Sequence, residues 1–335
     1  MTIGLEDKVD TNEDLNDHCH QFHAEGRALS GDLRAPIRQK IETQIPVELN
    51  DRRGGHLMRS VSNVSVEGLI SIKRAETRVS GSRIKNKWVT LATTILEGLN
   101  VFEVISVDRV IAQVSTSHAL KNGHVPKVTF LGTKFENLRV SGLPVGITYQ
   151  YGVCPPPQNN ESYLANESFV EKTRDWTKTI SEKGVLFGNA QEQYGQRSMK
   201  ASEVLEVIRT KEHKALQNSG KATRLQEHFP RDENPKITCS IVRSINIDKV
   251  REQFPKVETV GHVIVIPDFG AVSLGEVEVG LEMPMPFPYS CGFGNGSQPE
   301  PSDYFELTML NMELGCIGDA SLKAAQSKTN GQSYP

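Results

Sequence analysis

The chain reads as mainly β: an antiparallel β-sandwich or β-barrel that carries a helical insertion. Three observations predict it. The stretch from Trp88 to Val145 is dense in Val, Ile, Thr and Phe, side chains that suit a pleated, half-buried surface. Apolar–polar alternation returns late in the chain, over Val272–Val279 and Phe305–Met312. Between these blocks the apolar spacing changes to the 4-3-4 pattern of one helix face.

In chain order, residues 1–17 form an acidic leader. A strand is expected to enter at His18 and to turn at Ser30-Gly31. Residues 36–50 are ambiguous: Ile37, Ile41 and Ile45 suit a helix face, while Pro36 and Pro46 bracket them. Strands follow at about 60–72 and 74–82. In the next strand Val89, Leu91, Thr93 and Ile95 are more apolar than Thr90, Ala92, Thr94 and Leu96, so the first set is expected to face the core. From Val107 to Val114, polar Asp108 and Gln113 fall on opposite parities. The alternation therefore breaks near Arg109 and Val110, as it would at a β-bulge, where one extra residue switches the faces. Gly123 and Pro126 punctuate a hairpin, and Gly132 and Gly142 mark turns or bulges. The triplets Glu67-Gly68-Leu69, Glu97-Gly98-Leu99 and Glu136-Asn137-Leu138 put Gly or Asn, the residues that best tolerate positive φ, inside or beside strand-like runs. They predict three similar bends; the sharper alternative is that the three glutamates line one cavity.

Cys154-Pro155-Pro156-Pro157 ends this sheet, because proline cannot continue a ladder. Phe169, Thr173, Trp176 and Ile180 then mark a helix from Ser162 to Lys183, with Gly184 at its C′ position. A second helix is expected from Ala201 to Gln217, stopped by Asn218-Ser219-Gly220. Strands resume at Ile237–Ile241, His262–Ile266 and Val272–Val279. The Pro/Gly-rich stretch 284–303 reads as a long loop of the kind that carries function. The resulting organisation is a leader (1–17), one β framework made of 18–154 and 236–317, a helical insertion (155–235) and a polar tail (318–335).

Composition narrows the function. The 335 residues are 37% hydrophobic and 24% charged, with a net charge of −3, which fits a folded globular chain. No Lys/Arg stripe marks a nucleic-acid surface. No apolar run approaches the ~20 residues of a membrane helix, and the acidic N-terminus lacks the apolar core of a signal peptide. A cytoplasmic protein is expected, without nucleic-acid or membrane partners. Five widely spaced cysteines do not form a disulfide framework, and Cys239 reads as a small buried hydrophobe.

The chemistry-bearing candidates are few. His18, Cys19, His20 and His23 cluster as a metal site would, with His18, His20 and His23 as ligands; on a strand, however, His23 faces away from the other two. Cys154, Cys291 and Cys316, with His118, His124, His228 and His262, could supply a Cys/His dyad, but no local signature pairs them. Asp268-Phe269-Gly270 matches the magnesium motif of kinases without the Gly-rich loop, lysine or catalytic loop that belong with it. No cofactor is expected.

Several segments are familiar as a set. They are His23-Ala24-Glu25-Gly26 with Ala28-Leu29-Ser30-Gly31, Glu97-Gly98-Leu99-Asn100-Val101, and Phe130-Leu131-Gly132-Thr133 with Phe135-Glu136-Asn137-Leu138-Arg139. Ile266-Pro267-Asp268-Phe269-Gly270, Leu274-Gly275-Glu276-Val277 and Leu307-Thr308-Met309-Leu310 complete it. Together they resemble an uncharacterised family of β-rich bacterial proteins. The resemblance implies one β framework built from both ends of the chain, and carries no activity.

Two functions are therefore expected. The first is a non-catalytic binding or assembly protein, a homo-oligomer paired through sheet edges or a binder of a small apolar molecule. The second is an enzyme of isomerase, cyclase or hydrolase type, with Glu97, Asp108 and Glu136 as acid/base residues in a β-barrel cavity and Glu67, Asn100, Asn137 and Arg139 contacting the ligand.

Overall fold

A computed structural model describes residues 19–35, 38–120, 125–156, 161–186, 188–209, 234–282, 302–315, 320–330 and 332–334. The first half of the chain is strand after strand: β1 (Cys19–Leu33), β2 (Gln39–Ile41), β3 (Val47–Asp51), β4 (Gly55–Val66), β5 (Ile70–Ile84), β6 (Lys87–Val101), β7 (Ile105–Ala119), β8 (Lys127–Thr129), β9 (Lys134–Val140), β10 (Leu143–Pro144) and β11 (Gly146–Tyr149). A 3-10 turn (Tyr163–Ala165), α1 (Glu167–Glu182) and α2 (Gly188–Arg209) follow. The chain returns to strands with β12 (Lys236–Ser240) and β13 (Val242–Asn246), then α3 (Asp248–Gln253), β14 (Glu258–Val260), β15 (Val263–Ile266), β16 (Gly270–Glu282), β17 (Ser302–Leu314), β18 (Ala320–Thr329) and β19 (Gln332–Tyr334).

Two antiparallel sheets face each other, and neither closes into a barrel. The larger runs β14-β15-β16-β17-β18-β1-β19, with β12 on β16 and β2 and β3 on β1. The smaller is a meander, β10-β9-β7-β6-β5-β4, with β8 on β7. The first long strand and the last three thus form one sheet, with β1 paired to β18 from Ala24↔Thr329 to Leu33↔Ala320. β1 and β18 lie against β5, β6 and β7 of the other sheet.

A line of residues crosses each sheet. In the smaller it is Asn63, Lys73, Gly98, Asp108 and Asn137; in the larger, Gly275, Met309, Ala325 and Ala28. Every second residue along it has a left-handed backbone: φ is 57° at Asn63, 63° at Gly98, 55° at Asn137, 61° at Gly275 and 53° at Ala325. The ladder skips these residues yet keeps its register, as in Glu97↔Arg109 followed by Leu99↔Val107. The face switch expected near Arg109 is therefore present without an extra residue. It is made by left-handed residues on alternate strands, and Leu96 and Leu99, three apart, both point into the core at 0% and 1% exposure. Two of the three predicted bends, Gly98 and Asn137, lie on this line. The third, Glu67-Gly68, makes the β4–β5 turn at φ 49° and 70°.

The inward face of β6 is the reverse of that expected. Thr90, Ala92, Thr94 and Leu96 are buried between the sheets, while Val89, Leu91 and Ile95 are half-buried on the outer side. Close approach of the sheets is the cause. A Cβ on Gly26 would stand 2.3 Å from Thr77 Cγ2 and 3.0 Å from Thr94 Oγ1. Only small side chains fit there, and they donate to backbone: Thr94 Oγ1 to the Gln326 carbonyl at 2.8 Å, Ser327 Oγ to the Ala112 carbonyl at 3.0 Å. The same crowding overturns the expected tail. Residues 320–329 are a central strand, β18, whose buried positions are mostly small (Ala320, Ala324, Ala325 and Ser327, beside Leu322), so its sequence looks polar. The leader and the 284–301 part of the expected loop lie outside the described residues.

The insertion holds α1 and α2. Asn166 caps α1 by accepting from Phe169 N at 3.1 Å, Phe169, Val170, Thr173, Thr177 and Ile180 are buried, and Gly184 follows at φ 65°. α2 begins well before the expected Ala201. The 3-10 turn is pinned to β17 by Asp303, whose Oδ1 accepts from Ser162 Oγ at 2.6 Å and Tyr163 N at 3.2 Å. Burial outweighs these bonds and pushes the Asp303 carboxyl up to about 7.

Two outcomes are expected. Gly275→Ala forces a left-handed alanine whose Cβ meets Ile241 Cγ1 at 2.8 Å, and should cost about 2 kcal/mol in urea unfolding; Gly152→Ala, with open space around it, should stay within about 0.5 kcal/mol of the parent. Asp303 is raised in the folded state, so its contribution is full below the unfolded value near 4 and fades as pH rises through 7. Asp303→Asn should therefore be more stable than the parent at pH 8 and lose the decline in urea midpoint between pH 5 and pH 8.

Candidate functional site

At one end of the sandwich four turns converge. They are the β6–β7 turn at Phe102, the β9–β10 turn at Ser141, the segment after α3 (Phe254–Val257), and the β15–β16 turn at Pro267–Phe269. Between them lies an open cavity of about 590 Å³, lined by Phe102, Val104, Val257, Ile266, Phe269 and Leu314. The Phe102 and Phe269 rings meet edge to face, with centroids 6.3 Å apart. Backbone bonds hold the walls: Phe102 N to Leu69 O at 2.7 Å, Ser141 N to Val104 O at 2.7 Å, Gly315 N to Phe269 O at 2.9 Å. Ser141, Gln253, Lys256 and Asp268 supply the polar groups of the lining. The volume falls in the range of small-molecule sites.

A buried polar cluster joins α2 to the outer face of the larger sheet. Glu276, 5% exposed, accepts five hydrogen bonds: from Tyr194 Oη (2.6 Å), both Arg197 Nη atoms, His262 Nε2 (3.1 Å) and Asn311 Nδ2 (2.9 Å). Ser273 Oγ lies 3.0 Å from Tyr194 Oη. Ser273 and Glu276 are three apart on one strand and reach the same phenol only because left-handed Gly275 turns the strand between them. Burial opposes the charge on Glu276, but the Arg197 guanidinium and His262 hold the carboxyl well below the usual range. Burial pushes the His262 imidazole down, against the pull of Glu276. A carboxylate only accepts, so Nε2 carries the imidazole proton. Trp176 stacks on this ring at 4.6 Å.

The acid/base candidates lie elsewhere. Glu97, Arg109 and Glu136 stand in one cross-strand row on the outer face of the smaller sheet. Arg109 Nε is 3.8 Å from Glu97, and Lys134 Nζ is 2.6 Å from Glu136. Asp108 is beside them, fully exposed, and accepts from Arg139 Nη1 (2.8 Å) and Asn137 Nδ2 (2.7 Å). The bond from Arg139 lowers the Asp108 carboxyl, and that from Lys134 lowers Glu136. Asn100 accepts from Glu103 N in the β6–β7 turn, and Glu67 sits in the β4–β5 turn, apart from this group.

Of the proposed metal ligands, His18 lies outside the described residues. His20 is sandwiched by aromatic rings, stacked on Trp88 at 4.9 Å, and burial with the nearby His118 holds it down at about 2. His23 turns instead to Glu25 Oε1 at 3.1 Å. Among the described residues no group of three His, Cys, Asp or Glu could hold a metal ion. The Cys154 thiol meets Cys239; burial and this contact push it up, away from a reactive thiolate. Cys291, Cys316, His124 and His228 lie outside the described residues.

Sequence reasoning did not single out Tyr194, Arg197 or Glu276 as site residues. The usable signal was Gly275-Glu276, a glycine and an acid inside an apolar run.

Residues 20–280 match the model of a domain of unknown function, DUF8256, and the chain belongs to that family. No curated protein and no solved structure matches it. The resemblance to an uncharacterised β-rich family is thus realised in a family defined without an activity. No helix among the described residues is long and apolar enough to cross a membrane.

Arg197→Met strands the Glu276 charge in the interior and should cost about 3–5 kcal/mol in urea unfolding, with Arg197→Met/Glu276→Gln recovering at least half. Because Glu276 is held low, its contribution is present above the unfolded value near 4.3 and falls away as pH drops below it.

Proposed function

We propose that this protein is a non-catalytic binder that takes a small apolar molecule in the cavity between Phe102, Val257 and Phe269. The observation that carries this reading is a preformed 590 Å³ space whose lining is largely apolar and whose walls are tied by backbone hydrogen bonds. Burying about 200 Å² of apolar ligand surface there contributes roughly 5 kcal/mol before association costs. The acids support the same reading. Asp108 and Glu136 are held ionised on an open face, where a general acid needs a raised value, and Glu276 is saturated by donors. Two buried free thiols, Cys154 and Cys239, suit a cytoplasmic protein.

The test is saturable fluorescence enhancement of an uncharged apolar naphthylamine probe. Val104→Trp, placed in the cavity wall, should weaken probe binding at least about tenfold and leave the thermal midpoint within about 2 °C. Unchanged probe binding would refute the site.

Self-association is the second reading. β4 ends the smaller sheet, paired among the described residues only to β5, and its Leu57 and Met58 are 45% and 52% exposed. Light scattering should then show a dimer that Leu57→Lys dissociates; a monomer for the parent chain would rule it out.

A further inference from the structure

A second depression, of different chemistry, runs between α2 and the outer face of the larger sheet. It is a polar groove of about 320 Å³. Arg197 and Lys200 of α2, Lys236 of β12 and Lys323 of β18 border it, against two acids, Glu278 and Glu313. Most of these groups are committed. Glu278 accepts from Tyr304 Oη at 2.7 Å and lies 3.0 Å from Lys236 Nζ. Glu313 accepts from Ser321 Oγ at 2.7 Å, and Arg197 is held by Glu276.

Two groups of the wall stand out, and they are cross-strand partners: Asn311 on β17 and Lys323 on β18. Lys323 is exposed and makes no ion pair with a described residue. Asn311 is 5% exposed. Its Nδ2 donates to Glu276 at 2.9 Å, which fixes the amide the other way round, and its Oδ1 accepts from no described group. A buried acceptor without a donor is a standing cost, so a native one calls for a partner. Lys323 thus stands without an ion pair among the described residues, Glu313 of the same wall being held by Ser321, and Asn311 Oδ1 stands without a donor. Directly opposed residues place the roots of these two side chains about 5 Å apart, within the span of one small molecule.

We propose that this groove binds a small hydroxylated organic anion of the sugar-acid or hydroxy-acid type, its carboxylate on Lys323 and a neighbouring hydroxyl donating to Asn311 Oδ1. The hydroxyl distinguishes it from a bare anion, and the carboxylate from a neutral sugar.

The probe is D-gluconate, titrated calorimetrically into the full chain alongside sulfate, which has no donor, and D-glucose, which has no charge. Gluconate should bind with millimolar or tighter affinity, and sulfate and glucose at least about tenfold more weakly. Lys323→Met should weaken gluconate at least about tenfold without moving the thermal midpoint. Asn311→Ala should erase the preference for gluconate over sulfate; if that variant does not fold, Lys323→Met decides. Absence of gluconate binding at about 20 mM, equal binding of sulfate, or full binding by Lys323→Met would each overturn the proposal. The apolar cavity variant Val104→Trp should bind gluconate as the parent does, so the two sites fail or stand separately.

Discussion

The structure depends on one backbone constraint, the line of left-handed residues that crosses both sheets. A strand shows alternate residues to alternate faces, and a long strand keeps that assignment from end to end. Here the assignment is exchanged midway, at Gly98 and Asn137 in one sheet and at Gly275 and Ala325 in the other. A bulge would do this by adding a residue and shifting the register. Placing a positive φ on every second strand leaves the hydrogen-bonded pairs aligned on both sides. Leu96 and Leu99 can then share the core, and Ser273 and Glu276 can share the opposite surface. Glycine bears this conformation at little cost; Ala325 bears it under strain, and the surrounding ladder holds it there.

The helical insertion is attached by polar chemistry as well as by packing. α2 places Tyr194 and Arg197 over Glu276, and α1 places Trp176 over His262. A buried ion pair of this sort adds less net stability than its geometry suggests, because both charges were stripped of water. Its effect is specificity of docking. Any other seating of α2 would leave Glu276 without Tyr194 and Arg197, so the helix has one position on the sheet. That position creates the polar groove, as the turns at the end of the sandwich create the apolar cavity. The two depressions differ in chemistry because one is walled by a helix on the solvated face of a sheet, and the other by the ends of strands that carry core residues.

Much of the β architecture was legible in the residues. Val, Ile and Thr density located the long strands, the Glu-Gly and Glu-Asn pairs marked positive φ, and the spacing of Phe169, Thr173, Trp176 and Ile180, with Gly184 after them, marked the first helix. The inward face of β6 was misjudged, because hydrophobicity was used where space decides. Gly26 brings the sheets so close that Thr94 and Ala92 fit between them and the larger Leu91 and Ile95 do not. Strand β18 was mistaken for a polar tail for the same reason, since alanine and serine are what a tight inter-sheet gap admits.

Local residue chemistry determined that this chain is mainly β, that it breaks its alternation at set points, and that helices interrupt it before residue 236. These follow from short-range physics: side-chain shape, φ preference and the spacing of apolar groups. Which groups converge was decided only in three dimensions. Tyr194, His262, Glu276 and Asn311 are separated by up to a third of the chain and meet because β16 pairs with β17 and α2 lies across them. The cavity walls come from the β6–β7 turn, β9, α3 and β15 in the same way. Pairing and close approach are long-range outcomes, and no local pattern states which distant surface a residue will meet.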